Sequence, residues 1–210
     1  MKIIFISDTH LLHDQLTLPE GDMIIHCGDV SKRGHKTEIE NFLKWFEKLN
    51  FEHKIFISGN HDFFFEDAPK EDVEKLIPEN VIYLNDSGVT IDGIKIWGSP
   101  IQPWFHDWAF NRGRGKEIKA HWNLIPNDTD ILITHGPPFE ILDRTMQGQY
   151  VGCEDLLDKI KSTDIKIHAF GHIHEGYGEV VKDKVRFINA SVVNVSYKMT
   201  NAPVEYLYKK

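Results

Sequence analysis

Ile57-Ser58-Gly59-Asn60-His61-Asp62 is the stretch from which the fold of this chain reads outward. An apolar run, Lys54-Ile55-Phe56-Ile57, leads into it and predicts a buried strand. A turn at Gly59 then presents an amide, an imidazole and a carboxylate in succession. An amide oxygen can sit on a cation. An imidazole can donate a proton near neutral pH, and a following carboxylate can hold that ring in one orientation. Alone, such a tripeptide at a strand end says little. Its weight comes from other blocks of the chain that share its design.

Upstream, Lys2 to Ser7 predicts a strand that ends at Asp8-Thr9-His10, and Asp22 to Cys27 predicts a second that ends at Gly28-Asp29. Between them and the central stretch, Ile39, Phe42, Leu43, Phe46 and Leu49 recur at helical spacing, and Thr37 with Glu40 three residues on predicts a capping box. The order is therefore strand, loop, strand, helix, strand, with polar groups after each strand. In open α/β sheets, sites form outside the carboxyl ends of strands.

Downstream, Pro69 to Ile77 predicts a short surface helix and Val81 to Leu84 a strand. Val89 to Ile96 reads as a hairpin around Asp92-Gly93, a pair suited to a type I′ turn. Ser99 to Arg114 is rich in aromatic residues and proline, and either packs onto the body or lines a pocket. A helix over Glu117–Leu124 precedes a buried strand, Ile131–Thr134, that ends at His135-Gly136. After a helix over Glu154–Lys161, the strand Ile165–Phe170 ends at Gly171-His172-Ile173-His174. A second hairpin turns around Lys182-Asp183-Lys184, and Val204–Tyr208 closes a sheet. No repeat or linker interrupts the pattern, so residues 1–210 are expected to form one α/β domain with two sheets.

The net charge of -8 and pI of about 5.8 argue against a protein that tracks polymeric nucleic acid, which needs a basic face. A small anionic substrate stays open if a metal supplies positive charge locally. Cys27 and Cys153 form neither a zinc-type pair nor a disulfide framework, and Cys27 reads as a small core residue. The apolar run at Met1–Ile6 is too short for a signal peptide, and no stretch reaches the ~20 apolar residues of a membrane span. The expectation is a cytoplasmic protein without membrane contact; its oligomeric state is not readable.

Polar groups thus follow apolar strands at Asp8-x-His10, Gly28-Asp29, Gly59-Asn60-His61-Asp62, His135-Gly136 and Gly171-His172-x-His174. Together they offer carboxylates, an amide and several imidazoles, more than a single catalytic zinc requires. The set suits two metals that share a carboxylate. Of the 12 histidines, His13, His26, His35, His53, His106, His121 and His168 read as surface or satisfied core residues. A lone D-x-H or H-x-H is weak evidence; these blocks in this order, each at a strand end, are strong.

This order resembles the calcineurin-like metallophosphoesterases. Further stretches, among them Pro103-Trp104-Phe105, His121-Trp122-Asn123-Leu124-Ile125-Pro126, Thr134-His135-Gly136-Pro137-Pro138 and Ile188-Asn189-Ala190-Ser191, look like the metallophosphoesterase-domain-containing group within it. The resemblance implies a four-layer αββα sandwich of two mixed sheets, with metals at the sheet edges. It implies that Asp8, His10 and His174 hold one divalent ion, that Asn60, His135 and His172 hold another, and that Asp29 bridges them. Manganese is placed first, with iron, zinc, nickel and cobalt as other candidates. The implied reaction is hydrolysis of small phosphodiesters such as cyclic nucleotides by a metal-bridging hydroxide. His61 would be the general acid, with Asp62 orienting its ring. Asn60 and His61 would also meet the substrate, the aromatic loop from Trp104 to Phe110 could stack a base, and Arg112, Arg114 or Arg144 could meet a phosphate or base edge. Two alternatives stay open: a phosphomonoesterase acting on nucleotides or phosphoproteins, and a non-catalytic nucleotide-binding module.

Overall fold

A computed structural model describes residues 1–209. In chain order its elements are β1 (Lys2–Ile6), β2 (Met23–Cys27), α1 (Lys36–Phe46), β3 (His53–Ile57), α2 (Phe63–Asp67), α3 (Lys70–Leu76), β4 (Ile82–Tyr83), β5 (Ser87–Ile91) and β6 (Ile94–Ser99). Then come β7 (Gln102–Pro103), β8 (Asn111–Arg112), α4 (Lys116–Trp122), β9 (Ile131–Thr134), α5 (Glu154–Lys161), β10 (Ile167–Phe170), β11 (Gly178–Lys182), β12 (Val185–Asn189) and β13 (Val204–Leu207). One sheet has the order β13-β1-β2-β3-β4 and the other β11-β12-β10-β9-β6-β5. Both are mixed, with parallel strands at the centre and antiparallel partners at β13, β11 and β5.

The layering follows from the alternation of side chains along each strand. Ile3, Phe5, Met23, Ile25 and Cys27 face Ile131, Ile133, Ile167, Ala169 and Ile188 of the second sheet, forming a core between the sheets. Their sequence neighbours Ile4, Ile6 and Ile24 face outward, where they join the helix-covered core with Phe42, Phe46 and Phe56. The second sheet repeats the device: Leu132, Phe170 and Phe187 belong to the outer core with Ile118, Trp122, Leu156 and Ile160 of α4 and α5. Strands buried on both faces read as continuous apolar runs, which is why these appear as isoleucine-rich blocks. The expected four-layer α/β sandwich of two mixed sheets is what the chain forms.

Some local expectations change. The capping box at Thr37 and Glu40 does not form: α1 starts at Lys36, with His35 at the cap and no side-chain cap bond. The carboxylate that reaches back there is Glu38, whose Oε2 accepts the Arg33 N–H at 2.8 Å. The short helix α2, in a phenylalanine-rich run, has no periodic signal and was not anticipated. The Asp92-Gly93 turn is present, with φ of 49° and 79° at its two residues.

The sheets meet at their carboxyl ends. Ser7 and Ser191 form a parallel bridge between them, and the Val192 N–H donates to the Ser7 carbonyl at 3.0 Å. This junction brings the ends of β1, β2 and β3 against those of β9 and β10.

Candidate metal centre

Each polar group after a strand leaves the sheet through an unusual backbone turn. Asp8, His10, Asp29 and His172 all have positive φ, between 42° and 66°. The left-handed region is several-fold enriched in Asp and His but is sparsely populated by any side-chain-bearing residue. Strain of this kind gathers at functional sites, where surrounding contacts over-determine it. Two glycines serve the same purpose by their size. A Cβ on Gly59 would collide with Asp29, and one on Gly171 would collide with Ser7 and Asp8.

The side chains converge on Asp29. Its Oδ2 lies 3.3 Å from His135 Nε2, 3.7 Å from His10 Nε2 and 3.9 Å from His61 Nε2. Its Oδ1 accepts the His61 backbone N–H at 2.8 Å. Asp8 stands beside it, with Oδ1 3.4 Å from His174 Nε2. Asp8 Oδ2 accepts the Ser191 hydroxyl at 2.6 Å and the His172 N–H at 3.1 Å.

Backbone carbonyls fix the histidine tautomers. His10 Nδ1 lies 3.0 Å from the Ser31 carbonyl, His135 Nδ1 2.9 Å from the Cys27 carbonyl, and His174 Nδ1 3.1 Å from the Asn194 carbonyl. A carbonyl only accepts, so each Nδ1 carries hydrogen and each Nε2 turns its lone pair to the centre, as metal-ligating imidazoles do. His10 Nε2 is buried with no hydrogen-bond partner. His135 Nε2 meets the Asn60 Oδ1 acceptor at 2.9 Å. Lone pairs that face one another in this way need a cation between them, either a proton or a metal ion.

The proton affinities agree. Burial alone would push His135 down, but the Asp29 carboxylate lifts it to about 9. Burial likewise opposes protonation of His174, and its bond with Asp8 raises it instead. Burial pushes His172 down to about 3, so that ring is neutral and free to ligate. Asp8 and Asp29 resist the upward push of burial and stay below the ordinary carboxylate range, held chiefly by His174 and His135 respectively. Asp8, His10 and His174 form one group able to hold a metal, and Asp29, His135 and His172 form a second. His10, Asp29 and His61 form a third such group.

Asp62 does not orient the His61 ring. Its carboxylate accepts from the N–H groups of Val30 (3.2 Å), Ser31 (2.9 Å) and Gly59 (2.8 Å), and from the Ser31 hydroxyl at 2.6 Å. The Asp62 N–H closes the turn onto the Gly59 carbonyl, which directs its side chain beneath the loop. Asp62 therefore staples the loop after β2 to the loop after β3. Burial and the neighbouring charge of Asp29 raise it to about 6. The His61 ring is held by the Lys32 carbonyl, 2.7 Å from Nδ1.

The centre opens into a cleft of about 480 Å³, bordered by Trp104, Phe105, Trp108, Tyr150 and Tyr197. Both readings of the aromatic segment hold in part, since Ala109 and Phe110 are buried while Trp104, Phe105 and Trp108 line the cleft. Arg112 and Arg144 do not line it. Arg112 pairs with Glu66 at 3.1 Å, and Arg144 lies over the Tyr150 ring. Arg114 borders the cleft, with its guanidinium tied to Glu154 and to the carbonyls of Val151 and Gly152.

Sequence reasoning missed Tyr197, and it reached Trp108 only as one residue of the aromatic loop from Trp104 to Phe110. Trp108 stacks on His61 with ring centroids 4.3 Å apart. Nothing in the spacing distinguishes either from other aromatic residues. It also missed the work of His26 and His168, whose Nε2 atoms meet the hydroxyls of Thr9 (2.9 Å) and Thr134 (2.7 Å). These threonines are sequence neighbours of Asp8, His10 and His135, so each buried histidine braces a ligand-bearing turn.

Comparison with known proteins agrees with the architecture. A family model described as calcineurin-like phosphoesterase matches residues 1–176. Metallophosphoesterase domain-containing protein 1 of Homo sapiens is 42% identical over 226 residues, spanning 97% of this chain and 69% of that protein. A UPF0046 protein of Caenorhabditis elegans is 33% identical over 222 residues, spanning 100% of this chain and 76% of that one. Among solved structures, the phosphopantetheinyl hydrolase of Mycobacterium tuberculosis superposes with a TM-score of 0.64 at 15% identity, over 93% of this chain and 90% of that chain. At that identity the likeness concerns the fold.

Proposed function

Because the chain belongs to the calcineurin-like phosphoesterase family, we propose that residues 1–210 act as one domain that hydrolyses small phosphodiesters, cyclic nucleotides among them. The convergence of three imidazole Nε2 atoms on Asp29 Oδ2 is the observation that carries this reading. It gathers donors from separate strand ends around one shared carboxylate. The donor set of oxygen and imidazole nitrogen fits divalent manganese, iron, zinc, nickel or cobalt, with manganese placed first. Asp8, His10 and His174 would hold one ion, and Asn60, His135 and His172 the other, with Asp29 shared. When bound, such ions polarise phosphoryl oxygens and acidify water.

The protein's own groups do the rest. The carbonyls of Ser31, Cys27 and Asn194 fix three ligand rings before substrate arrives, so little reorganisation is needed at the moment of reaction. His61 borders the cleft with its Nδ1 committed to the Lys32 carbonyl. A proton on its Nε2 can therefore pass to the leaving oxygen, and we assign it general acid rather than ligand. The ring of Trp108 keeps it in that pose. The net charge of -8 does not favour a nucleic-acid polymer and leaves a small phosphoester open where bound metal supplies positive charge locally. The two buried free thiols fit a reducing, cytoplasmic setting. No helix among the described residues is long and apolar enough to cross a membrane.

The test is hydrolysis of bis(p-nitrophenyl) phosphate and p-nitrophenyl phosphate by metal-stripped protein, with and without manganese. Manganese-dependent turnover favouring the diester is expected. Preference for the monoester would make the protein a phosphatase. No turnover with metal bound would favour the binding-module reading.

A further inference from the structure

Large apolar side chains that stay exposed gather at the mouth of the cleft: Trp104, Phe105, Tyr150, Val195 and Tyr197. Two of them stand over the ligands. Phe105 is 49% exposed, and its ring centroid lies 6.1 Å from that of His172. Tyr197 is 47% exposed, and its ring lies 4.9 Å from His10 and 5.5 Å from His174. Each half of the centre thus has one half-exposed aromatic beside it.

Tyr197 is held there against its own preference. Its φ is 54°, an outlying conformation for a bulky aromatic residue. Its N–H donates to the Asn194 carbonyl at 2.8 Å, while Asn194 Oδ1 accepts the N–H groups of Ser196 and Lys198. The same Asn194 carbonyl fixes His174. One short loop both orients a ligand and keeps an aromatic ring against it.

The cleft has little else with which to hold an anion. Arg114 is its one lysine or arginine among the described residues, and its guanidinium is already engaged by Glu154, Val151 and Gly152. Glu175 adds a carboxylate to the lining. A second phosphate would therefore lose its hydration against apolar walls with no free cation to meet it.

We propose that Phe105 and Tyr197 form an aromatic clamp, one ring at each half of the centre, that selects diesters with a single phosphate and a flat or apolar group on both ester oxygens. The proposal rests on the phosphodiesterase reading above and narrows its substrate class to open-chain diesters, setting aside cyclic nucleotides, whose two ester oxygens belong to one ribose. The ester oxygens of a tetrahedral phosphate diverge, so a phosphate seated between the ligand groups directs its arms toward the two rings. Tyr197 lies 6.4 Å from His61, so the arm on its side is the one positioned to leave.

Two diesters with the same leaving group test the clamp: phenyl p-nitrophenyl phosphate and methyl p-nitrophenyl phosphate. With manganese-loaded protein, and after division by the uncatalysed rates, kcat/KM should favour the phenyl ester by about tenfold, the scale of one good aromatic contact. Phe105→Ala, beside the retained arm, should bring that ratio below about threefold, whereas Tyr197→Ala, beside the shared leaving arm, should keep the ratio and lower kcat/KM for both esters by about tenfold. Calorimetric titration with diphenyl phosphate, dimethyl phosphate and pyrophosphate gives a readout independent of turnover, and diphenyl phosphate should bind tightest. Tyr197→Gly should keep or raise Tm, because glycine accepts a positive φ without steric cost, and yet lower kcat/KM for both esters as Tyr197→Ala does. A wild-type ratio near one, a ratio unchanged in Phe105→Ala, kcat/KM unchanged in Tyr197→Ala, or pyrophosphate binding as tightly as diphenyl phosphate would overturn the clamp. If neither diester is hydrolysed, the phosphodiesterase reading fails, and the titrations still decide the clamp.

Discussion

At the floor of the cleft, Asp8, His10, Asp29 and His135 are buried, each held by backbone groups or neighbouring side chains. At its rim, Trp104, Phe105, Tyr150 and Tyr197 are exposed to solvent over about half of their surface or more. The floor sits on strand ends; the rim sits on the loops between β7 and β8, before α5, and before β13. The difference assigns the work. Buried polar groups with fixed partners lose most when one partner is removed, because the others are left unpaired. Exposed aromatics lose only their contact with a ligand. The floor should therefore decide whether the protein reacts at all, and the rim what it reacts with.

The sharpest way to break that division is Asp29→Ala. Removing the shared carboxylate should release both metals and lower kcat/KM by about 10⁴-fold. Two equivalents of manganese retained by mass spectrometry would refute the shared role. His61→Ala comes next, with a loss of about 10³-fold in kcat and unchanged metal content, as for a removed general acid. Metal lost in step with activity would place His61 among the ligands.

His168 tests the floor from beneath. Burial holds its pKa at about 3, below the 6.5 of an unfolded chain. A depressed histidine contributes stability above its unfolded pKa and loses it as pH falls through the folded one. The metal-free protein should thus lose Tm as pH drops from about 6.5 toward 3, and His168→Leu should flatten that loss. The same variant should cost about tenfold in activity through the freed Thr134 beside His135. A slope unchanged by the substitution would show that other groups govern the acid transition. Asp62→Asn should lower stability by about 1–3 kcal/mol, since an amide cannot accept every N–H and O–H bond the carboxylate now takes. Its kcat should stay within about threefold of wild type; a loss as large as that of His61→Ala would restore a ring-orienting role to Asp62. Arg112→Ala, at the outer edge of the rim, should change stability by less than about 1 kcal/mol and leave KM within twofold, as for a partly exposed ion pair. A large rise in KM would bring Arg112 back to the substrate.

The architecture was legible because burial on both faces writes strands as unbroken apolar runs, and because polar residues after each run mark the sheet edge. Asp8, His10, Asn60, Asp29, His135, His172 and His174 were all visible in this way, as was the hairpin at Asp92-Gly93. Asp62 misled because sequence adjacency to His61 suggested contact. Along a tight turn, successive side chains diverge, and Asp62 pointed beneath the loop to Val30, Ser31 and Gly59. His26 and His168 looked like ordinary core residues, and only the pairing of parallel strands placed them against threonines beside the ligands.

By itself, then, the sequence determined which residue types stand at which strand ends, since that depends on local pattern and chain order. The tertiary structure decided which atoms meet: that three imidazoles share one oxygen of Asp29, that carbonyls from distant loops choose their tautomers, and that Trp108, Phe105 and Tyr197 rather than Arg112 or Arg144 border the cleft. The contacts of the site join residues up to 183 positions apart, as in the Ser191 to Asp8 bond. No spacing rule reaches that far, because the distance between such groups is set by how two sheets pack and not by the chain that connects them.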